Sequence, residues 1–181
     1  MLKTLTLLLA VSVSATAPSA SAAAPAVPAP AAALEAAPER VRFTLREMRI
    51  AAKGVAQGKP VVLKAGRRYA LTFENAGQLQ HDVALGRGRK AGPEGPRFAE
   101  NLLAGVEAEL VFRDSQGREA AVEGAGFEEL ELDPGATLTL LLTLPDSAAG
   151  DWQAACFMPG HESAGMRLPL RVEPASVSAA R

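Results

Sequence analysis

What this chain of 181 residues has little of narrows its chemistry before any motif is considered. It contains one cysteine and two histidines. A single thiol leaves no internal disulfide. It also leaves no C-x-x-C pair, so the usual frame of a structural zinc site, with four strong nitrogen, sulfur or carboxylate donors, is missing. The formal net charge is −1, and a balance so near neutrality does not suggest a nucleic-acid partner. Beyond the amino-terminal segment no stretch approaches the roughly 20 apolar residues that a membrane-spanning helix needs. One compact domain with a respectable core is what this length supports.

The chain opens as an export signal would. Lys3 supplies a short positive region, residues 5–13 an apolar one, and Ala20-Ser21-Ala22 a small-residue cleavage pattern. We expect a signal peptide over 1–22, no stable membrane insertion once it is removed, and a periplasmic or secreted location. No cysteine stands near the cleavage pattern to carry a lipid. Residues 23–38 are nearly all alanine and proline, a composition that buries little and blocks regular hydrogen bonding, and they read as an extended linker. The folded domain is expected over 39–174, with a flexible tail over 175–181.

Within the domain short strand patterns recur. Residues 41–45, 60–64 and 69–74 read as three antiparallel strands, and 80–85, 109–112, 127–132, 137–144, 151–156 and 167–173 as further ones. Asp133-Pro134-Gly135 and Pro145-Asp146 mark turns between them. Residues 86–96, rich in glycine, proline and arginine, read as a loop, and 97–109 as a short helix. Short strands in this number, with little helix, predict an all-β Greek-key sandwich or barrel, carrying a loop or short-helix insertion around 86–126.

The chemistry concentrates in residues 156–166, where Cys156, His161 and Met166 stand at steps of five. The other histidine, His81, lies on a strand pattern with Val83 and Leu85 on the same face, so its ring is expected to point inward. An exported single thiol is open to oxidation unless something protects it. Soft thiolate and thioether donors favour copper, and two imidazoles with one thiolate and a weak axial methionine define a blue-copper electron-transfer centre.

Residues 75–85 and 150–166, with the strand that follows, resemble the cupredoxins, the small blue copper proteins of the plastocyanin and azurin kind. The resemblance spans about 40–174, and 86–126 lies outside it. It implies one type 1 copper ion held by His81, Cys156, His161 and Met166, and an electron carrier or copper-binding protein rather than an enzyme. It also implies that His161 meets solvent as an electron port, with Phe157, Met158 and Pro159 as an apolar collar. Asp82 stands where relatives often carry asparagine, and its backbone amide is expected to donate to the cysteine sulfur. Trp152 shares a face with Cys156 and is expected to pack in the core beside the site.

Other readings compete. Cys156 with a histidine base would suit a cysteine hydrolase, but no oxyanion-hole signature accompanies it. A binuclear copper centre lacks its second cysteine, and a multicopper oxidase its many histidines. The same four ligands would also serve copper storage, delivery or sensing in the cell envelope. A metal-free interaction module would not need all four. The expected partners are redox proteins of the cell envelope, met by a monomer. Two charge clusters offer steering patches: Arg87, Arg89, Lys90 and Arg97, then Glu119, Glu123, Glu128, Glu129, Glu131 and Asp133.

Overall fold

Period-two burial of large apolar side chains is what makes these segments strands. Leu138, Leu140 and Leu142 alternate inward along one strand, and Tyr69, Leu71 and Phe73 along its neighbour. A computed structural model describes residues 37–93 and 95–175. The signal peptide expected over 1–22 lies outside the described residues, as do nearly all of the linker over 23–38 and of the tail over 175–181.

Twelve strands follow in chain order. They are β1 (Glu39–Arg46), β2 (Arg49–Ala52), β3 (Val61–Lys64), β4 (Arg68–Asn75), β5 (His81–Gly92), β6 (Gly95–Asn101), β7 (Glu107–Arg113), β8 (Glu119–Ala125), β9 (Glu129–Leu132), β10 (Thr137–Thr143), β11 (Gly150–Ala155) and β12 (Arg167–Glu173). One 3-10 turn, Asp146–Ala148, is the only helical element among the described residues. The first sheet runs β2-β1-β4-β10-β7-β8 and the second β3-β12-β11-β5-β6, with β9 also paired to β5. The inward faces of both sheets supply the core. At its centre Phe43 and Phe73, opposite each other in the β1–β4 register, stack with ring centroids 4.5 Å apart. The all-β sandwich is thus the observed fold.

Two expectations about its parts need correction. The first three strand patterns do not form an antiparallel set. β1 pairs with β4 in parallel, and β3 joins the second sheet parallel to β12. The chain between β1 and β4 crosses between sheets, a long-range choice that alternation within each strand does not encode. Nor is 86–126 a loop followed by a helix. β5 runs on through Gly92 and turns into β6, and β7 and β8 form a second antiparallel pair. The glycine at 86, which read as a loop signal, is a close approach between strands: a Cβ there would lie 2.4 Å from the Glu100 carbonyl oxygen and 2.6 Å from Phe98.

Candidate metal centre

Both strands that bear on the centre lie in the second sheet. The antiparallel register that sets Ala155 opposite Ala84 carries Cys156, just past the end of β11, towards the start of β5, where His81 stands. His161 returns from the loop. The structure therefore brings together three of the four residues singled out from the sequence by their own donor atoms: His81, Cys156 and His161, all buried, with those atoms within 4.8 Å of one another. Cys156 Sγ lies 3.3 Å from His161 Nδ1 and 3.9 Å from His81 Nδ1, and the two Nδ1 atoms are 3.3 Å apart. The point equidistant from the three atoms is about 2 Å from each, close to the ~2.0–2.1 Å of a metal–nitrogen bond and a little short of the ~2.3 Å of a metal–sulfur bond. The donors present therefore fit a metal ion.

The fourth residue, Met166, is fully buried and tied to the same knot through its backbone. Its N–H donates to the His161 carbonyl at 3.0 Å, and its own carbonyl accepts the Cys156 N–H at 3.1 Å. The loop closes on itself in short steps: His161 N–H donates to Met158, Ala164 N–H to Gly160 and Gly165 N–H to Glu162. Two reversals make this possible, with Gly160 at φ 87° and Gly165 at φ 102°, backbone conformations that side chains disfavour. His161 meets solvent only at an edge: it is 8% exposed, with Nδ1 turned inward towards Cys156. Of the expected collar, Phe157 and Met158 are half-buried and Pro159 is exposed.

Burial sets the protonation of these groups. It holds His81 below its ordinary value, assisted by the neighbouring His161, and so keeps the imidazole neutral, the form that ligates metals. It pushes the Cys156 thiol up to about 11. Without a cation the sulfur is therefore a thiol, and a bound cation would have to displace its proton. Asp82 is 5% exposed, and its carboxyl is raised to about 6 by burial, against the opposing pull of a hydrogen bond from Phe157 N–H at 2.7 Å. The Asp82 side chain thus joins the strand carrying His81 to the loop carrying Cys156, a role assigned beforehand only to its backbone amide.

Several further residues shape the site. Asn75, fully buried, donates to the Leu79 and Leu132 carbonyls at 2.8 and 2.9 Å and accepts from Gly77 N–H at 3.0 Å, which shapes the turn before His81. His81 Nε2 is buried without a hydrogen-bond partner, and the Glu47 carboxylate, held by Gln78 N–H, stands near it, both beside the place a Cβ on Gly77 would take, at 3.2 and 2.6 Å. Glu162, 8% exposed, is an acid buried beside His161. Arg87 covers the Trp152 ring, 4.3 Å from its centroid, while the indole N–H donates to the Ala148 carbonyl at 2.7 Å. Trp152 had a readable signal, as a core aromatic; Glu47 and Glu162 had none, because Gln78 and Arg89, which meet them, are distant in the chain.

No family of known sequences matches this chain, and no curated protein matches it by sequence. Among solved structures it is similar to a copper-containing nitrite reductase from Thermus scotoductus SA-01, at a TM-score of 0.51 and 13% identity, over 75% of this chain and 31% of that one. It is also similar to the dithionite-reduced auracyanin from the photosynthetic bacterium Roseiflexus castenholzii, at a TM-score of 0.45 and 19% identity, over 76% of this chain and 99% of that one. Identities this low speak for the fold alone. That fold, two packed sheets with a histidine–cysteine–histidine group at one end, is the cupredoxin fold.

Proposed function

We propose that the protein is a type 1 copper protein that binds one copper ion through His81, Cys156, His161 and Met166 and carries single electrons. The observation that carries this reading is the meeting of one sulfur and two imidazole nitrogens around a point about 2 Å from each. No carboxylate belongs to the group, and of the loop's two thioethers, Met158 is half-buried and Met166 fully buried. Such a donor set suits copper better than zinc, which would want a fourth strong ligand. Copper, when bound, supplies a one-electron couple.

The chain's own residues do the rest. Cys156 offers the thiolate, and its burial keeps water from the sulfur. Asp82 and the hydrogen bonds within the loop hold the donors in position before any ion arrives, so changing the charge at the site demands little rearrangement. A donor set buried and assembled in advance favours retention, and hence a carrier over a protein that delivers copper. The reading extends to the cell envelope, through the export signal over 1–22, the spacer over 23–38 and redox protein partners of a monomer. Sequencing the amino terminus of the exported protein tests the signal.

The test is visible absorption of the full chain with one equivalent of copper(II), beside Cys156→Ala. We expect an intense copper–thiolate charge-transfer band that the variant lacks, together with a reversible one-electron couple in voltammetry. Absence of the band from the wild type would overturn the copper reading; a band without a reversible couple would overturn the carrier reading in favour of storage or delivery.

A further inference from the structure

The hairpin of β5 and β6 does more than extend the second sheet. Arg89 on β5 and Phe98 on β6 stand directly opposite each other in the register. Each of them reaches the metal loop. Arg89 Nη2 lies 3.0 Å from Glu162 Oε2, and the Phe98 ring meets the Phe157 ring edge-on, centroids 4.9 Å apart at 78°. Phe157 follows Cys156, and Glu162 follows His161. One cross-strand pair thus holds the immediate neighbours of two proposed ligands. On the far side Arg167, which follows Met166, meets the other Glu162 oxygen at 3.3 Å.

The two contacts differ in kind and act together. Glu162 is a carboxylate withdrawn from water, and removing a partner leaves a buried charge short of compensation. The aromatic pair adds its own edge-to-face preference. The base of the hairpin is anchored separately, by Arg87 over Trp152 and by its hydrogen bonds of 2.8 and 2.6 Å to Glu100. Between hairpin and loop a cleft of about 330 Å³ remains, lined by both, so they touch at these points without fusing into one packed layer. Arg87 and Arg89, which read as free steering charges, are therefore committed to contacts inside the molecule.

We propose that this hairpin is a clasp on the metal loop, with Arg89 and Phe98 as positioning residues that hold Cys156 and His161 in place and slow the loss of the ion. The proposal rests on the copper reading above. For His161 to swing out, the backbone on either side must move, and that motion pulls Glu162 from Arg89 and Phe157 from Phe98. The clasp sets how fast the loop opens, and not which donors it presents.

The test is the rate at which the copper(I)-loaded full chain yields its ion to an excess of a chromophoric copper(I) chelator, measured by stopped flow. Arg89→Ala, Phe98→Ala and their combination should release copper roughly ten- to a hundredfold faster. Arg89→Lys should restore part of the wild-type rate. Arg113→Ala, which breaks an exposed ion pair on the other hairpin, should match the wild type. Hydrogen exchange of the amides of 157–166 in the metal-free chain gives a second readout, expected to quicken in the Arg89 and Phe98 variants alone. Should Phe98→Ala fail to fold, the Arg89 series decides, since that side chain is over half exposed. A copper–thiolate band in the wild type, with release and exchange unchanged by Arg89→Ala, overturns the clasp. No band in the wild type overturns the copper reading instead, and exchange in the metal-free chain still decides whether the hairpin holds the loop.

Discussion

The β5–β6 and β7–β8 hairpins come from the same stretch of sequence, yet the first folds onto the metal loop while the second, fixed through β7 to β10, ends in an exposed edge strand. Arg87, Arg89 and Phe98 of the first reach Trp152, Glu162 and Phe157. In the second, β8 lies at the sheet edge with nearly every residue exposed, Val122 at 55% among them. Glu109 and Glu123 even face each other directly across its strands. Composition does not separate the two, since both are rich in small and charged residues. What separates them is whether a buried partner waits across the fold. A charge that meets one becomes structural, and a charge that does not stays solvated.

Several changes would break or sharpen that contrast. The largest effect should come from the core beneath both hairpins. Phe73→Ala removes one ring of the Phe43–Phe73 stack and should cost about 3–5 kcal/mol in chemical denaturation followed by circular dichroism. A loss well under 1 kcal/mol would mean that this stack does not anchor the first sheet.

Next comes Asp82, at the root of the bound hairpin. Burial raises its carboxyl to about 6, so the metal-free fold favours the protonated acid. That contribution is fully present below the ordinary carboxyl value near 4 and is lost as pH rises through 6, by up to about 3 kcal/mol. The stability difference between wild type and Asp82→Asn in the metal-free chain should therefore move against the wild type between pH 4 and 7. A difference that stays level across this range would contradict the burial argument.

The two hairpins can then be compared glycine for glycine. Gly86→Ala drives a methyl group into the Glu100 carbonyl and Phe98 and should cost about 1–3 kcal/mol. Gly124→Ala, whose nearest neighbour is Phe127 at 3.6 Å, should stay within about 0.5 kcal/mol. Equal costs in thermal melts would erase the distinction. The smallest effect belongs to the outlying hairpin: Glu123→Lys turns the Glu109–Glu123 repulsion into attraction and should stabilise by about 0.2–1 kcal/mol, an increment that added salt should shrink.

Much of this molecule was legible in its sequence, for a local reason. Alternation marked β4, β10, β11 and β12 because each buries one face, and Pro145-Asp146 marked the turn that follows β10. Scarcity made the donors conspicuous, since a chain with one cysteine and two histidines offers few ways to assemble a soft-donor group. β8 escaped notice because a strand exposed on both faces carries no alternation to read. Residues 86–96 read as a loop and 97–109 as a short helix, although β5 and β6 pair there, because Gly86 serves a close crossing of strands rather than a turn. The parallel pairing of β1 with β4 depends on chain crossings that no window of sequence contains.

The sequence by itself determined the all-β character, the inward faces of the main strands and the identity of the soft donors, because each depends on residue chemistry and spacing within a few positions. Only the tertiary structure decided that His81 and His161, 80 positions apart, bring their nitrogens to 3.3 Å from each other. It also decided that Asp82 is bonded to Phe157 and that Glu162 sits buried under Arg89. Those contacts exist because two sheets pack and a hairpin folds over a loop, and such long-range packing sets burial, protonation and which charges find partners.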